Sequence, residues 1–314
     1  MKRVSFIIPC YNSAGTLEGV VDSIVYATEG LCYPEIILSN DGSVDNTWET
    51  IMCLCNKYKN VIGINLARNF GQQSARMAAA NMATGDIAIF MDDDGQHDPQ
   101  YIPQFLKAMN LGYDIVYADF QNVRQPLWRK MGSWIRYYSA KTLEGTPVSL
   151  KPSAFFAVRG YLIEGLKKYP SPTPSIFGFL LKSTRNIGTI PVEQHARLDG
   201  KSGYTFHKLV STWLNEMIGF SIIPLRVSSV LGGLSSVVGV ITALFILIHR
   251  MIDPNMPLGY TSIMAALMFF GGIILMMLGI MGEYIGRLCM TMNRIPQYVI
   301  REVVKTDPKM LDTE

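Results

Sequence analysis

The sequence predicts an α/β domain, a mostly parallel sheet with helices on both faces, joined to a C-terminal pair of membrane-spanning helices. Two observations carry that class. Short apolar runs alternate with stretches of helical spacing over the first hundred residues, the pattern of strand–helix–strand units. Beyond residue 225, Val227 to Ile248 and Pro257 to Gly282 contain no charged residue at all.

Val4–Ile8, Glu35–Leu38, Val61–Leu66 and Ile87–Met91 are short, apolar and rich in β-branched residues, and read as buried strands. Between them, 16–28, 44–58 and 71–83 carry apolar residues at helical spacing. Strands joined through helices run parallel, and ligands bind such sheets beyond the carboxyl ends of the strands. The polar clusters Pro9–Ser13, Asn40–Asp45 and Asp92–Asp98 all fall at those ends. They predict one site. A strand near 153–158, helices near 160–168 and 174–183 and a strand near 188–193 complete a domain expected to span 1–205.

Residues 206–226 mix Trp213, Leu214, Met217, Ile218 and Phe220 with polar residues, which predicts amphipathic helices at a bilayer surface. Each apolar segment exceeds the roughly 20 residues that a helix needs to cross about 30 Å of hydrocarbon. The link His249–Met256 is short, so spans over 227–250 and 258–282 form a hairpin within 227–287. Arg226, Arg287, Arg294, Arg301 and Lys305 flank it, against Arg250 in the link. That bias predicts a multi-pass protein of the cell membrane, with the domain, both termini and a tail over 288–314 in the cytoplasm. Two buried core helices are the bland alternative.

Composition narrows the function classes. A net charge of +3 with no basic block argues against a nucleic-acid partner. Cys10, Cys32, Cys53, Cys55 and Cys289 match neither a zinc spacing nor a disulfide framework, and read as reduced thiols. The run Met1–Ile8 stops at Pro9, too soon for a signal peptide.

The sharpest local signal is Asp92-Asp93-Asp94, directly after an apolar strand and before Gly95-Gln96-His97-Asp98-Pro99. Hard oxygen ligands at a strand end can hold Mg²⁺ or Mn²⁺ against a diphosphate leaving group. In an extended segment Asp92 and Asp94 share one side, with Gln96 near. A turn capping the next helix at Asp98-Pro99 is the plainer reading, but a turn needs no three mutually repelling carboxylates. Asn40-Asp41-Gly42-Ser43 and Pro9-Cys10-Tyr11-Asn12 are ordinary turn sequences in which Asp41 can accept from a base or ribose and Tyr11 can stack on a base. Arg124, Arg129, Lys130 and Arg136 surround Trp128 and Trp134, a mixture suited either to a solvated helix face or to an anionic lipid head.

Ile7-Ile8-Pro9-Cys10-Tyr11-Asn12, Asn40 to Asp45, Arg68-Asn69-Phe70-Gly71-Gln72 and Asp92 to Pro99 together resemble family 2 glycosyltransferases of GT-A fold. The hairpin, Gly282-Glu283-Tyr284-Ile285-Gly286-Arg287, Arg197 with Gly200-Lys201-Ser202-Gly203-Tyr204, and Pro224-Leu225-Arg226 are similar to the polyprenyl-phosphate glycosyltransferases among them. The resemblance implies nucleotide contacts from Pro9, Tyr11, Asn12, Asn40, Asp41 and Arg68, and metal and diphosphate contacts from Asp92, Asp94 and Gln96. It implies a lipid-phosphate site at Arg124, Arg129, Ser133 and Arg136, and a closing donor loop with Arg197, Ser202 and Tyr204. Catalysis would rest on Asp92, Asp93, Asp94 and Arg197.

The implied partners are a nucleotide-sugar donor (a UDP-sugar preferred), a polyprenyl phosphate acceptor, the bilayer and further copies of the chain, expected as a tetramer. A phosphate monoester is largely dianionic at neutral pH, so the acceptor attacks without a strong base, with inversion. Four features depart from the family pattern: Ser13 where Glu is usual, Asn40 for the first acid, Asp93 and Gly95 within the acidic run, and Phe155-Phe156-Ala157 where an arginine is usual. Arg159 is the candidate to replace that arginine. The departures point to a divergent sugar specificity, and leave a catalytically inactive scaffold or a polysaccharide synthase as rival readings.

Overall fold

The computed structural model describes residues 1–121, 153–193, 223–252 and 259–305. Strands form where the apolar runs lie: β1 (Arg3–Cys10), β2 (Tyr33–Asn40), β3 (Val61–Leu66) and β4 (Ile87–Phe90). Helices α1 (Leu17–Thr28), α2 (Thr47–Lys57) and α3 (Gln72–Met82) separate them. These four strands pair in parallel, in the order β4-β1-β2-β3. β1 is central, and from Val4 to Cys10 it is wholly buried, which is why its sequence is apolar on both faces.

A 3₁₀ turn at Pro99–Tyr101, started by the Asp98 carboxylate accepting from the Gln100 amide, leads into α4 (Ile102–Asn110). β5 (Ile115–Gln121), β6 (Phe156–Arg159), α5 (Gly160–Lys167), α6 (Ile176–Ser183) and β7 (Ile187–Glu193) follow. β6 lies between β4 and β5, antiparallel to both, and β7 joins parallel to β5 at the sheet's end. One apolar layer packs α1, α2 and α4 on one face, and a second packs α3, α5 and α6 on the other. Phe90 and Phe156, cross-strand neighbours, stack at 4.5 Å within the second layer. The GT-A-like α/β architecture is as expected, and the strands and helices predicted over 153–193 lie within a few residues of their places.

Three features differ from the sequence reading. The stretch 102–121, for which nothing was predicted, holds α4 and β5. Arg159 cannot stand in for a site arginine. It opposes Ile87, the first residue of β4, at the edge away from the loops. There it donates to the Tyr113 and Met109 carbonyls and lies 3.5 Å from Asp114.

The largest difference is at the C-terminus. Residues 288–305 are not a separate tail: 288–292 end a helix, and Ile300–Lys305 form β8, an antiparallel partner of β3 in the same sheet. The chain divides into two units, one containing Met1–Leu209 and Arg294–Glu314, the other Val210–Asn293. A half-exposed strand of charged residues, some 230 positions from its partner, gives little periodic signal.

The second unit contains α7 (Ile223–Ile252) and α8 (Tyr260–Met292), about 45 and 50 Å long at 1.5 Å per residue. Both are long and apolar enough to cross a bilayer. Each starts or ends beyond the expected spans of 227–250 and 258–282. Apolar side chains such as Leu234, Ile241, Phe245, Leu267 and Leu275 are more than half exposed, an arrangement suited to hydrocarbon. Gly232 lets the helices approach: a Cβ there would sit 2.9 Å from the Met277 methyl. The amphipathic stretch 206–226 falls outside the described residues up to 222, and its last four positions begin α7.

Candidate active site

Four loops leave the carboxyl ends of β1 to β4, and hydrogen bonds join them in a closed ring. The first loop binds the second through Asn12: its amide donates to Ser43 Oγ and its Oδ1 accepts from the Val44 amide. Ala14 and Ser13 amides add bonds to Asp45 and Thr47. Asn12 takes φ 53° to do so, a conformation asparagine tolerates.

The second loop binds the third through Asp41, whose two oxygens accept from the Phe70 and Gly71 amides at 2.7 and 2.9 Å. Asn40 reinforces it, donating to Asn65 Oδ1 and accepting from Ser43. The third binds the fourth where Gln72 and Arg76 both donate to Asp92 Oδ1. The fourth returns to the first: Asp93 accepts from the Tyr11 amide, and the Asp93 carbonyl accepts from Thr16 Oγ1.

The three acids therefore face different ways. Asp92 points at α3, 2.6 Å from the Arg76 guanidinium. Its own amide donates to Nδ1 of His97. Asp93 turns toward the first loop. Asp94 Oδ1 accepts from the Gln96 amide and shapes the turn. Alternation along a strand does not apply, because β4 ends at Phe90 and Gly95 has φ 72°.

Burial raises the Asp93 pKa to about 6, against the Ser13 hydroxyl and Tyr11 amide that favour the carboxylate. Between pH 4 and 6 the folded chain thus keeps a proton the unfolded chain releases, so this group's contribution to stability falls as pH rises through that window. Asp93→Asn is expected to stabilise the protein above pH 6, by on the order of 2 kcal/mol, and to flatten the pH dependence of thermal unfolding between 4 and 6. A variant whose profile overlays that of the wild type would refute this.

Asn40 and Asp41, expected to touch the nucleotide, are 2% and 3% exposed; Asn40 is bonded to Asn65 and Ser43 and Asp41 to the third loop's amides. Desolvation pushes the Asp41 carboxyl up, and the two amides oppose it. Pro9 is likewise buried, within β1 opposite Ser39. Of the residues expected to bind nucleotide, Tyr11 (50% exposed), Asn12 and Arg68, its guanidinium 4.4 Å over the Phe70 ring, are exposed.

Two functional side chains had no role in the sequence reading. His97, 7% exposed, stacks on Phe155 at 5.0 Å and Phe120 at 5.9 Å, and burial lowers its pKa, so the neutral ring accepts from Asp92. Phe155, which precedes the Phe156 that stands where an arginine was expected, is thus part of the floor under the acidic loop. Arg76 is the second. Its signal was present: a lone cation among Ala75, Ala78, Ala79 and Ala80 on a buried helix.

Arg124, Arg129, Ser133 and Arg136, and Arg197, Ser202 and Tyr204, lie outside the described residues. Residue 122 follows the end of β5 and residue 194 the end of β7, and both ends lie at the same sheet edge as the four loops.

Asp92 and Asp94 offer hard carboxylate oxygens, and no group of three or more His, Cys, Asp or Glu side chains converges among the described residues. Mg²⁺ and Mn²⁺ sites that take one or two carboxylates and complete their shell from phosphates and water need no larger set. The donor chemistry of the two acids suits such an ion, while their partners in this structure are different: Arg76 and Gln72 for Asp92 and the Gln96 amide for Asp94.

Comparison with known proteins agrees with this arrangement. The solved structure of glucosyl-3-phosphoglycerate synthase from Mycobacterium tuberculosis, in complex with Mn²⁺ and UDP-glucose, superposes with a TM-score of 0.52 at 17% identity. The match covers 69% of this chain and 77% of that one, a likeness of fold. An undecaprenyl-phosphate 4-deoxy-4-formamido-L-arabinose transferase of Photorhabdus laumondii is 31% identical over 310 residues, 97% of this chain and 95% of that protein. A Proteus mirabilis transferase of the same name is also 31% identical, covering 97% and 94%. Residues 223–288 match the GtrB C-terminal hairpin family. Residues 5–166, which contain all four loops, match glycosyl transferase family 2, and the chain is a member of that family, a glycosyltransferase.

Proposed function

We propose that this glycosyltransferase moves a sugar from a nucleotide diphosphate sugar, preferably a UDP-sugar, to a polyprenyl phosphate such as undecaprenyl phosphate at the cytoplasmic face of the cell membrane. One observation carries the reading: the likeness to the undecaprenyl-phosphate transferases runs the whole length of the chain, through the sheet and the paired helices alike. An acceptor that stays in the bilayer requires an enzyme that stays there too.

Tyr11 and Arg68 receive the nucleoside and its phosphates at the rim of the ring. Asp94, with Asp92 and Gln96 beside it, holds Mg²⁺ or Mn²⁺. When bound, that ion neutralises the charge that develops on the departing diphosphate. Arg124, Arg129, Ser133 and Arg136 hold the acceptor phosphate, and Arg197, Ser202 and Tyr204 close over the donor. An oxygen of the acceptor phosphate forms the new bond to the anomeric carbon. The bond from that carbon to the diphosphate breaks on the opposite face, its electron pair leaving with the nucleotide. The dianionic acceptor needs no base. The chain's part is orientation and charge, so the buried Asp93 serves as a fastener between loops.

The test is transfer of radiolabelled sugar from a panel of UDP- and GDP-sugars into an organic-extractable lipid, with purified protein and undecaprenyl phosphate. Label in the lipid phase that disappears on chelation is the expected result. No label from any donor, together with no metal-dependent binding of UDP, would overturn the reading.

A further inference from the structure

We propose that Arg76 is an internal counter-cation that competes with the divalent metal for Asp92, so that helix α3 sets how tightly the site holds its metal. This rests on the metal-dependent transfer proposed above.

Arg76 is 5% exposed, and its Nη2 lies 2.6 Å from Asp92 Oδ1. Among the described residues its buried Nε has no hydrogen-bond partner, and Asp92 supplies the compensating charge. One turn earlier Gln72 donates to the same oxygen at 2.8 Å. A metal ion drawn to Asp92 must therefore displace two donors from that oxygen or bind beside a fixed positive charge. Either outcome costs binding free energy. Displacement would leave a buried guanidinium with its charge unmatched, and coexistence sets like charges within a few ångströms at low effective dielectric.

The arrangement also divides labour among three neighbouring acids. Asp93 is occupied by the first loop and Asp92 by α3, while Asp94 shapes the turn that follows. Without Arg76 the cluster would carry one more uncompensated negative charge, and the metal would be held more strongly. Tight binding is no advantage to an enzyme whose nucleotide product must leave with the charge that held it. Arg76 on this view keeps the metal exchangeable, and acts as a positioning residue through Asp92.

The measurement is Mn²⁺ titration of the full-length, detergent-solubilised protein, followed by the electron paramagnetic resonance signal of free Mn²⁺, with and without UDP. Arg76→Met, which keeps the unbranched chain and removes the charge, should bind Mn²⁺ at least fivefold more tightly. In turnover its Mn²⁺ requirement should shift down by a similar factor without a gain in kcat. Arg76→Lys should stay within about twofold of the wild type. If Arg76→Met fails to fold, Arg76→Gln carries the same expectation.

A folded charge-removing variant with unchanged or weaker Mn²⁺ affinity, in a wild type that does bind Mn²⁺, overturns the role of Arg76 alone. No Mn²⁺ binding by any of these proteins, with UDP present, overturns the metal-dependent reading and this inference with it.

Discussion

Asp94→Ala is expected to reduce sugar transfer by about a thousandfold, roughly 4 kcal/mol of transition-state stabilisation, with little change in the fold. Asp92 is tied to Arg76 and Gln72, and Asp93 faces the Tyr11 amide. Asp94 accepts from the Gln96 amide two residues on, a bond within its own turn. Loss of that bond costs stability about 1 kcal/mol, far less than the expected loss of rate. The check is twofold: labelled-lipid formation at saturating Mn²⁺, and thermal unfolding of the same preparation. Wild-type turnover with chelator sensitivity retained would remove Asp94 from the mechanism. A thousandfold loss accompanied by a collapse of the unfolding transition would assign it to structure instead.

The second large effect is expected at Gly42, where the second and third loops meet. Its φ is +66°, and a Cβ there would lie 2.6 Å from both the Arg68 carbonyl carbon and the Asn69 nitrogen. Backbone atoms cannot swing aside as a side chain can. Gly42→Ala therefore combines a left-handed residue, about 1–2 kcal/mol, with forced separation of the loops, and should destabilise by about 3 kcal/mol in total. The same displacement moves Arg68, so the KM for the donor should rise at least tenfold. Gly71→Ala supplies the contrast: its φ is +93° but none of the described residues lies within 4 Å of the added carbon, so the conformational cost dominates. Equal effects of the two substitutions on unfolding and donor KM would show that the contact with Arg68 is unimportant.

Much of the fold was legible because β1 to β4 are buried on both faces. Continuous apolar runs, each ended by a polar cluster, announce strands and site together. β5 was hidden for a different reason. Its sequence, Ile115 to Gln121, carries Asp119 and leads directly into an arginine- and tryptophan-rich stretch that reads as helix.

At the site, residue type was legible and direction was not. Asp92, Asp93 and Asp94 stood out as acids, but the chain leaves extended geometry at Phe90, and each carboxylate follows its own loop. Asp41 looked like a ligand contact for the same reason that it is a good fastener. An acid after a strand end will take two amides from wherever they are offered. Arg76 and His97 were hidden because their importance lies in what they hold, a property of three-dimensional neighbours.

The return of the chain from α8 into β8 has a consequence for how the enzyme is made. β3 is synthesised early, yet its outer edge waits for Ile300–Lys305, which leave the ribosome only after both apolar helices. Until then the sheet has an open edge with hydrogen-bonding groups to offer any passing strand. If both apolar helices span the bilayer, pairing can close it only after the second crossing has returned the chain to the side on which β3 folds. A single crossing would strand the last strand across the membrane, and the sheet would stay unfinished. Completion of the catalytic half would then act as a quality check on membrane insertion. A chain lacking 260–292 alone should expose the β3 edge to protease, and protection equal to the intact chain would contradict the coupling.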